Sequence, residues 1–229
     1  MKKKKVFIAC DTNNIKVIRN IISKTNNSEL DIGYKFGLEF FFSKHGRKFI
    51  SRLRNQKIFL DLKLNDIPNT CVSAIKSLKD LKNINYLTVH ISGGYKMLKA
   101  VKKESKKINK KMKILGVSIL TSLNNDSVRK IGHTRPVKDL VRKQAAIAKA
   151  AGLNGIVCSG HEAKLIKNIC KNMEIVTPGI RLKGDSVSDQ KRVMTPKEAF
   201  ANGSNAIVIG RSITSGNIKN NIQKLIKSL

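Results

Sequence analysis

At 229 residues the chain is long enough to bury one large core as a single domain, and no run in it approaches the ~18 apolar residues of a membrane span. Cys10, Cys71, Cys158 and Cys170 have no C-x-x-C spacing and read as reduced, buried thiols of a cytoplasmic protein rather than as a disulfide framework. Lys+Arg 46 against Asp+Glu 15 gives a formal charge of +31, but the basic residues are mostly lysines spread along the whole chain and aromatics are only 5%, so no specific nucleic-acid partner is expected.

The opening Met1-Lys2-Lys3-Lys4-Lys5 has the charge of a signal-peptide start. The apolar segment behind it runs only from Val6 to Cys10 and ends in Asp11, so the lysines read as a solvated tail. Beyond them, short apolar segments at 6–10, 31–36, 57–63, 86–91, 113–120, 155–159, 174–178 and 206–210 read as strands. Helical patterns at 14–24, 38–53, 69–81, 97–108, 137–151, 161–171, 196–201 and 217–227 alternate with them. Most of the strands are β-branched-rich and apolar on both faces, as a parallel sheet covered by helices requires. Eight β/α units without a linker predict an α/β fold, a TIM (β/α)8 barrel spanning 1–229 as one domain. An open doubly wound sheet is the structural alternative, but no G-x-G-x-x-G follows the first strand.

In a barrel the active site lies at the C-terminal ends of the strands. Those ends carry Asp11, Lys35, Asp61 with Lys63, His90, Thr121, Thr177-Pro178-Gly179-Ile180-Arg181 and Gly210-Arg211, while the strand interiors are apolar. The connections at 124–136 and 182–195 are polar and are candidates for a lid, with simple solvent-exposed insertions as the competing reading, more for the first than for the second. The one at 91–96 contains Gly93-Gly94, which suits a tight turn.

The third strand stands apart. Lys57-Ile58-Phe59-Leu60-Asp61-Leu62-Lys63-Leu64-Asn65-Asp66-Ile67-Pro68 sets opposite charges into an apolar run. At i, i+2 spacing Phe59, Asp61 and Lys63 share one face. Pro68 stops the strand, and a helix starts near Asn69. From D-x-K-x-x-D alone two readings stand, a structural ion pair capping a strand or a catalytic pair. With Lys35 and Asp66 the pair makes an alternating array whose members hold one another ionised. At the far end of the chain, Gly210 lets backbone approach an anion and Arg211 can fork two donors onto phosphate oxygens, where barrels often bind phosphate. Gln190, on the loop after strand 7, could close over the same group. The competing reading is that Arg211 caps a surface helix.

The string Asp61-Leu62-Lys63-Leu64-Asn65-Asp66-Ile67-Pro68-Asn69-Thr70 resembles the signature of the orotidine 5'-phosphate decarboxylases in their bacterial form. The similarity runs essentially the whole chain, through Phe7-Ile8-Ala9-Cys10-Asp11, Gly33-Tyr34-Lys35, Thr88-Val89-His90, Leu120-Thr121-Ser122, Pro178-Gly179-Ile180-Arg181, Asp189-Gln190-Lys191-Arg192 and Ile207-Val208-Ile209-Gly210-Arg211. Ser212 stands where proline is usual, and Val117-Ser118-Ile119 replaces a more typical Val-Thr-Val. The resemblance implies cofactor-free decarboxylation of orotidine 5'-phosphate to UMP, with no metal. It implies that Lys63 stabilises and protonates the C6 carbanion within the Lys35, Asp61, Lys63 and Asp66 array. Asp11 would bind the ribose hydroxyls, Thr121 the pyrimidine segment, and Gln190, Gly210 and Arg211 the phosphate. Ile67, Thr70, Pro178 and Arg181 join them as substrate-binding residues. It further implies a homodimer in which Asp66 enters the neighbouring subunit's site.

Related D-x-K-x-x-D enzymes such as 3-keto-gulonate-phosphate decarboxylase and hexulose-phosphate synthase need a carboxylate at the end of strand 2 to hold Mg²⁺. This chain has Lys35 there. A basic RNA-binding protein that has lost catalysis is the alternative from another class, and it is disfavoured because all four charged residues are present. His45, His90, His133 and His161 show no metal-ligand spacing, and His90 alone sits near the site, as support for it.

Overall fold

Eight parallel strands close on one another in chain order: β1 Lys5–Ala9, β2 Asp31–Phe36, β3 Lys57–Leu64, β4 Ile84–His90, β5 Lys113–Val117, β6 Gly155–Val157, β7 Glu174–Thr177 and β8 Ala206–Ile209. The computed structural model describes residues 3–185 and 192–229. Pairing of Val6 with Ile207 and Phe7 with Val208 joins β1 to β8 and completes the barrel. The architecture is the TIM barrel that the alternation of elements predicts. No helix among the described residues is long and apolar enough to cross a membrane.

The two-residue period of a strand divides its side chains between two cores. Phe7 and Ala9 pack with Phe59, Tyr86, Leu115, Val176, Ala206 and Val208 inside the barrel. Val6, Ile8 and Cys10 pack outward against the helices. The Phe7 ring meets those of Phe59 and Tyr86 edge-on, each with centroids 5.0 Å away. Full burial of each such ring stabilises the fold by roughly 1.5–3 kcal/mol. Gly33 is required beside them, because a Cβ there would lie 2.8 Å from the Phe7 ring.

Polar groups close the N-terminal mouth of the barrel. The first residues of β1, β5 and β7 are Lys5, Lys113 and Glu174. Glu174 is paired with Lys5 and, at 2.9 Å, with Lys113, and it accepts the Tyr86 hydroxyl at 3.2 Å. Burial pushes the Glu174 pKa up, but the two ammonium groups outweigh it and hold the carboxyl below its usual range. The interior beneath the site is therefore apolar rings standing on a floor of paired charges.

Several elements differ from the sequence expectation. The single helix at 38–53 is two, Leu38–Phe42 and Gly46–Arg52. The chain folds back so closely that a Cβ on Gly46 would fall 1.7 Å from the Phe40 carbonyl oxygen, and Ser43 Oγ caps that same carbonyl at 2.7 Å. Strand 5 ends at Val117 instead of 120, because β6 offers only Gly155–Val157 as a partner. Ser118 takes the last carbonyl, Val157 O, through both its N–H and its hydroxyl. The loop at 124–136 contains a short helix, Asn125–Lys130, capped where Asn124 accepts the Ser127 N–H and held down by buried Val128. Pro68 is the first residue of the helix Pro68–Ser77 rather than the stop before it, a position where its missing N–H loses no hydrogen bond.

Candidate active site

A cavity of about 470 Å³ opens at the C-terminal ends of the strands. Asp11, Lys35, Asp61, Lys63, Thr121, Pro178, Arg181, Gly210 and Arg211, nine of the residues singled out from sequence, line it. Apolar side chains form most of the rest of the wall, with Phe59, Val117 and Val208 rising from the barrel core and Cys158 from the end of β6. The polar groups therefore gather at the strand ends around a largely apolar chamber, the form of a small-molecule site.

The charged groups are linked through Asp61. Lys63 Nζ lies 2.8 Å from Asp61 Oδ2, and Lys35 Nζ lies 3.5 Å from the same oxygen and 3.0 Å from Asp11 Oδ1. The Thr88 hydroxyl donates to the other oxygen, Asp61 Oδ1, at 3.0 Å. Burial by itself raises the Asp61 pKa, but Lys35, Lys63 and the hydrogen bonds prevail and keep it below the usual carboxylate range. Burial likewise lowers that of Lys35, yet Asp61 and Asp11 outweigh it and raise the value above an ordinary lysine's. Lys35 is thus a buried, permanent cation, while Lys63 and Asp11 are more open to the cavity, their side chains 31% and 61% exposed.

Strand 3 is not regular where it carries these groups. Leu60 pairs with Leu87, but the next pair is Leu64 with Val89, so β3 bulges between them. Lys63 sits at φ 50°, in the left-handed region. Simple i, i+2 alternation does place Asp61 and Lys63 on the cavity side with Phe59, but the bulge shapes how Lys63 enters. Thr88 belongs to the site as well, although its sequence motif Thr88-Val89-His90 assigns it no role. Its signal was a lone hydroxyl in the apolar run Leu87-Thr88-Val89, where a buried polar group needs a partner.

At the end of β8, Gly210 precedes the short helix Arg211–Thr214. A Cβ at Gly210 would meet only Ala9 Cβ, at an ordinary 3.5 Å, so no protein atom demands glycine and the open side is left to the cavity. Gly179, at φ 74°, turns the chain after β7, and Met194 bonds back to Gly179 and Arg181 across the base of the following loop. Arg192 pairs with Glu162 at 2.5 Å and anchors that loop's return. Gln190 lies outside the described residues.

Asp66, Ile67 and Thr70 do not join the cavity. All three are exposed, and Asp66 Oδ1 accepts only the adjacent Ile67 N–H, at 2.7 Å, among the described residues. His90 is half-buried behind the array and does not line the cavity either; burial, then the charge of Lys63, pushes its pKa down. No cluster of three or more His, Cys, Asp or Glu that could hold a metal occurs among the described residues, and both cavity carboxylates are engaged by Lys35.

Comparison with known proteins shows the family. The model of the orotidine 5'-phosphate decarboxylase / HUMPS family matches residues 4–224. The chain is 42% identical over 231 aligned positions to the orotidine 5'-phosphate decarboxylase of Wolbachia pipientis from Culex pipiens, covering 98% of each. It is 40% identical to the Coxiella burnetii enzyme of the same name, over 92% of this chain and 89% of the relative. The crystal structure of orotidine 5'-phosphate decarboxylase from Lactobacillus acidophilus superposes with a TM-score of 0.84 at 34% identity, over 99% of both chains. With the barrel and the full-length match in agreement, the chain belongs to the orotidine 5'-phosphate decarboxylase / HUMPS family.

Proposed function

We propose that this protein converts orotidine 5'-phosphate to UMP and CO₂, the last step of de novo pyrimidine synthesis, without a cofactor. The observation that carries this reading is the placement of the Lys63 ammonium against Asp61 at the edge of the cavity, with Lys35 behind them. The relatives named for this activity support the substrate.

The reaction breaks the bond between C6 of the pyrimidine and its carboxylate. CO₂ leaves, and the electron pair stays on C6, which no cofactor delocalises. An ammonium fixed beside that carbon stabilises the charge as it develops and then transfers its proton there. Lys63 fills that role. Asp61 holds Lys63 in place, Lys35 neutralises Asp61, and Asp11, paired with Lys35, receives the ribose hydroxyls. Arg211 and Gly210 take the phosphate, assisted by Gln190 and Arg181, while Thr121 and Pro178 bound the pyrimidine. Asp66, Ile67 and Thr70 are exposed on one surface, as suits groups delivered to a second subunit, so the working unit is a cytoplasmic homodimer of single-domain chains. Lys35, where related enzymes need a carboxylate, favours this reaction over a Mg²⁺-dependent one.

The test is loss of orotidylate absorbance on mixing the substrate with purified protein, with and without EDTA. UMP and CO₂ in equal amounts at a chelator-independent rate are expected. A rate abolished by EDTA and restored by Mg²⁺ moves the protein to the metal-dependent branch, and no turnover under either condition rejects the reading.

A further inference from the structure

The irregular end of β3 is held by one side chain from the neighbouring strand. Between the pairs Leu60 with Leu87 and Leu64 with Val89, β3 advances four residues while β4 advances two. Asp61, Leu62 and Lys63 therefore face Thr88 alone, and the ladder cannot serve every backbone group of the bulge. Lys63 is bent to φ 50°, a conformation that a side chain with a Cβ adopts only when its surroundings impose it.

Thr88 is fully buried, and its hydroxyl makes both connections that the bulge requires. Lys63 N donates to Thr88 Oγ1 at 2.9 Å, and Thr88 Oγ1 donates to Asp61 Oδ1 at 3.0 Å. These directions are forced, because a backbone N–H only donates and an ionised carboxylate only accepts. The hydroxyl proton thus goes to Oδ1, leaving Oδ2 to face both ammonium groups. Valine would fill the same volume and suit a buried strand, yet could form neither bond. A threonine serving its own strand would not reach two groups 25 and 27 residues away in sequence.

We propose that Thr88 is a positioning residue of the active site: its single hydroxyl clamps the Lys63 backbone in its left-handed turn and orients the Asp61 carboxylate, so that ammonium and carboxylate meet in the geometry that proton delivery needs. This rests on the decarboxylase reading and adds to it a residue that touches no substrate. Two groups that must act together are set by one hydrogen-bonding atom on another strand. A shift in either therefore disturbs both.

Thr88→Val, Thr88→Ser and Thr88→Ala are compared by steady-state kinetics on orotidine 5'-phosphate, with thermal melting as a check on folding. In Thr88→Val, kcat should fall by roughly 10- to 100-fold with KM changed by less than about threefold, and Thr88→Ser should recover most of the loss. Thr88→Ala, which removes the hydroxyl with less steric demand, carries the same expectation if the valine variant does not fold. In an Asp61→Asn background the valine effect should shrink, because one of its two partners has already been altered. A hydroxyl-free variant that folds and keeps kcat within about twofold of wild type overturns the proposal. So does a serine variant as slow as the valine one. Carboxyl-carbon NMR titration of Asp61 supplies a readout independent of turnover: removal of the hydroxyl should move its pKa upward, and an unmoved titration also overturns the proposal. Wild-type protein that fails to turn over orotidine 5'-phosphate while Asp61 still responds to Thr88 would reject the decarboxylase reading and leave the clamp standing.

Discussion

Lys63 Nζ lies 2.8 Å from Asp61 Oδ2, two residues earlier on the same strand. With Lys35 at 3.5 Å from that oxygen, a single buried carboxylate oxygen serves two cations. The cations repel one another, and the carboxylate between them offsets that repulsion; for Lys35 it outweighs, together with Asp11, the cost of burial and raises the pKa. Of the two, Lys63 is the more exposed to the cavity, its side chain 31% accessible against 11% for Lys35. The arrangement therefore has a fixed inner cation and an outer one that can reach a ligand.

The first prediction follows from that division. Lys63→Ala should lower kcat by at least ~10²–10⁴, the range for a general acid, and further insofar as the ammonium also stabilises the carbanion. The same change should affect ligand binding far less. Steady-state kinetics together with UMP binding by calorimetry check this, and a variant within tenfold of wild type excludes Lys63 from the chemical step.

Arg211 lines the cavity beside a glycine that leaves room for an anion. Arg211→Ala should remove charge-assisted hydrogen bonds worth about 1.5–3 kcal/mol each, or roughly a 10- to 150-fold loss in kcat/KM per bond. Orotidine lacking the phosphate should be a poor substrate for wild type and hardly worse for the variant. Equal damage to both substrates would refute the phosphate assignment.

Asp66 should act in the partner subunit's site. Homodimers of Lys63→Ala and of Asp66→Ala are each expected to be nearly inactive, since every site lacks one group. Mixing them by subunit exchange creates dimers with one doubly defective and one intact site, so about a quarter of all sites should regain wild-type chemistry on random pairing. Native mass spectrometry verifies that mixed dimers formed. Activity that stays at the single-mutant level despite their formation places Asp66 in its own chain's site.

At the other end of the barrel, Glu174 should make stability depend on pH. Its folded pKa is depressed below the 4.5 of the free side chain, chiefly because Lys5 and Lys113 overcome the opposing effect of burial. A depressed carboxylate stabilises the fold above the unfolded value, and that contribution is lost as pH falls through the folded value. Glu174→Gln should therefore destabilise the protein at pH 7 by about 1–3 kcal/mol, a figure reduced by the solvent exposure of Lys113. The difference in melting temperature between variant and wild type should narrow below pH 4.5. A gap that is constant with pH would mean that the floor is held by packing rather than charge.

The barrel was legible in the chain because its signals are local. Eight apolar segments alternate with helical periodicity, and the polar residues gather where each segment ends, so topology and the side of the barrel that carries chemistry follow from short stretches read singly. The pairing of Asp61 with Lys63 was legible for the same reason, since two residues on one strand need no knowledge of the rest. What lay beyond the linear pattern involves groups far apart along it. The break before Gly46 comes from the approach of Gly46 to the Phe40 carbonyl, which periodicity does not register. The floor joins Lys5 to Glu174, 169 residues apart, and the backbone N–H of Lys63 in the bulge bonds to Thr88, 25 residues on. Side-chain type and spacing can say that a buried hydroxyl or carboxylate must find a partner, because leaving it unpaired is costly. Which partner it finds is set when the closing barrel brings distant strands into register.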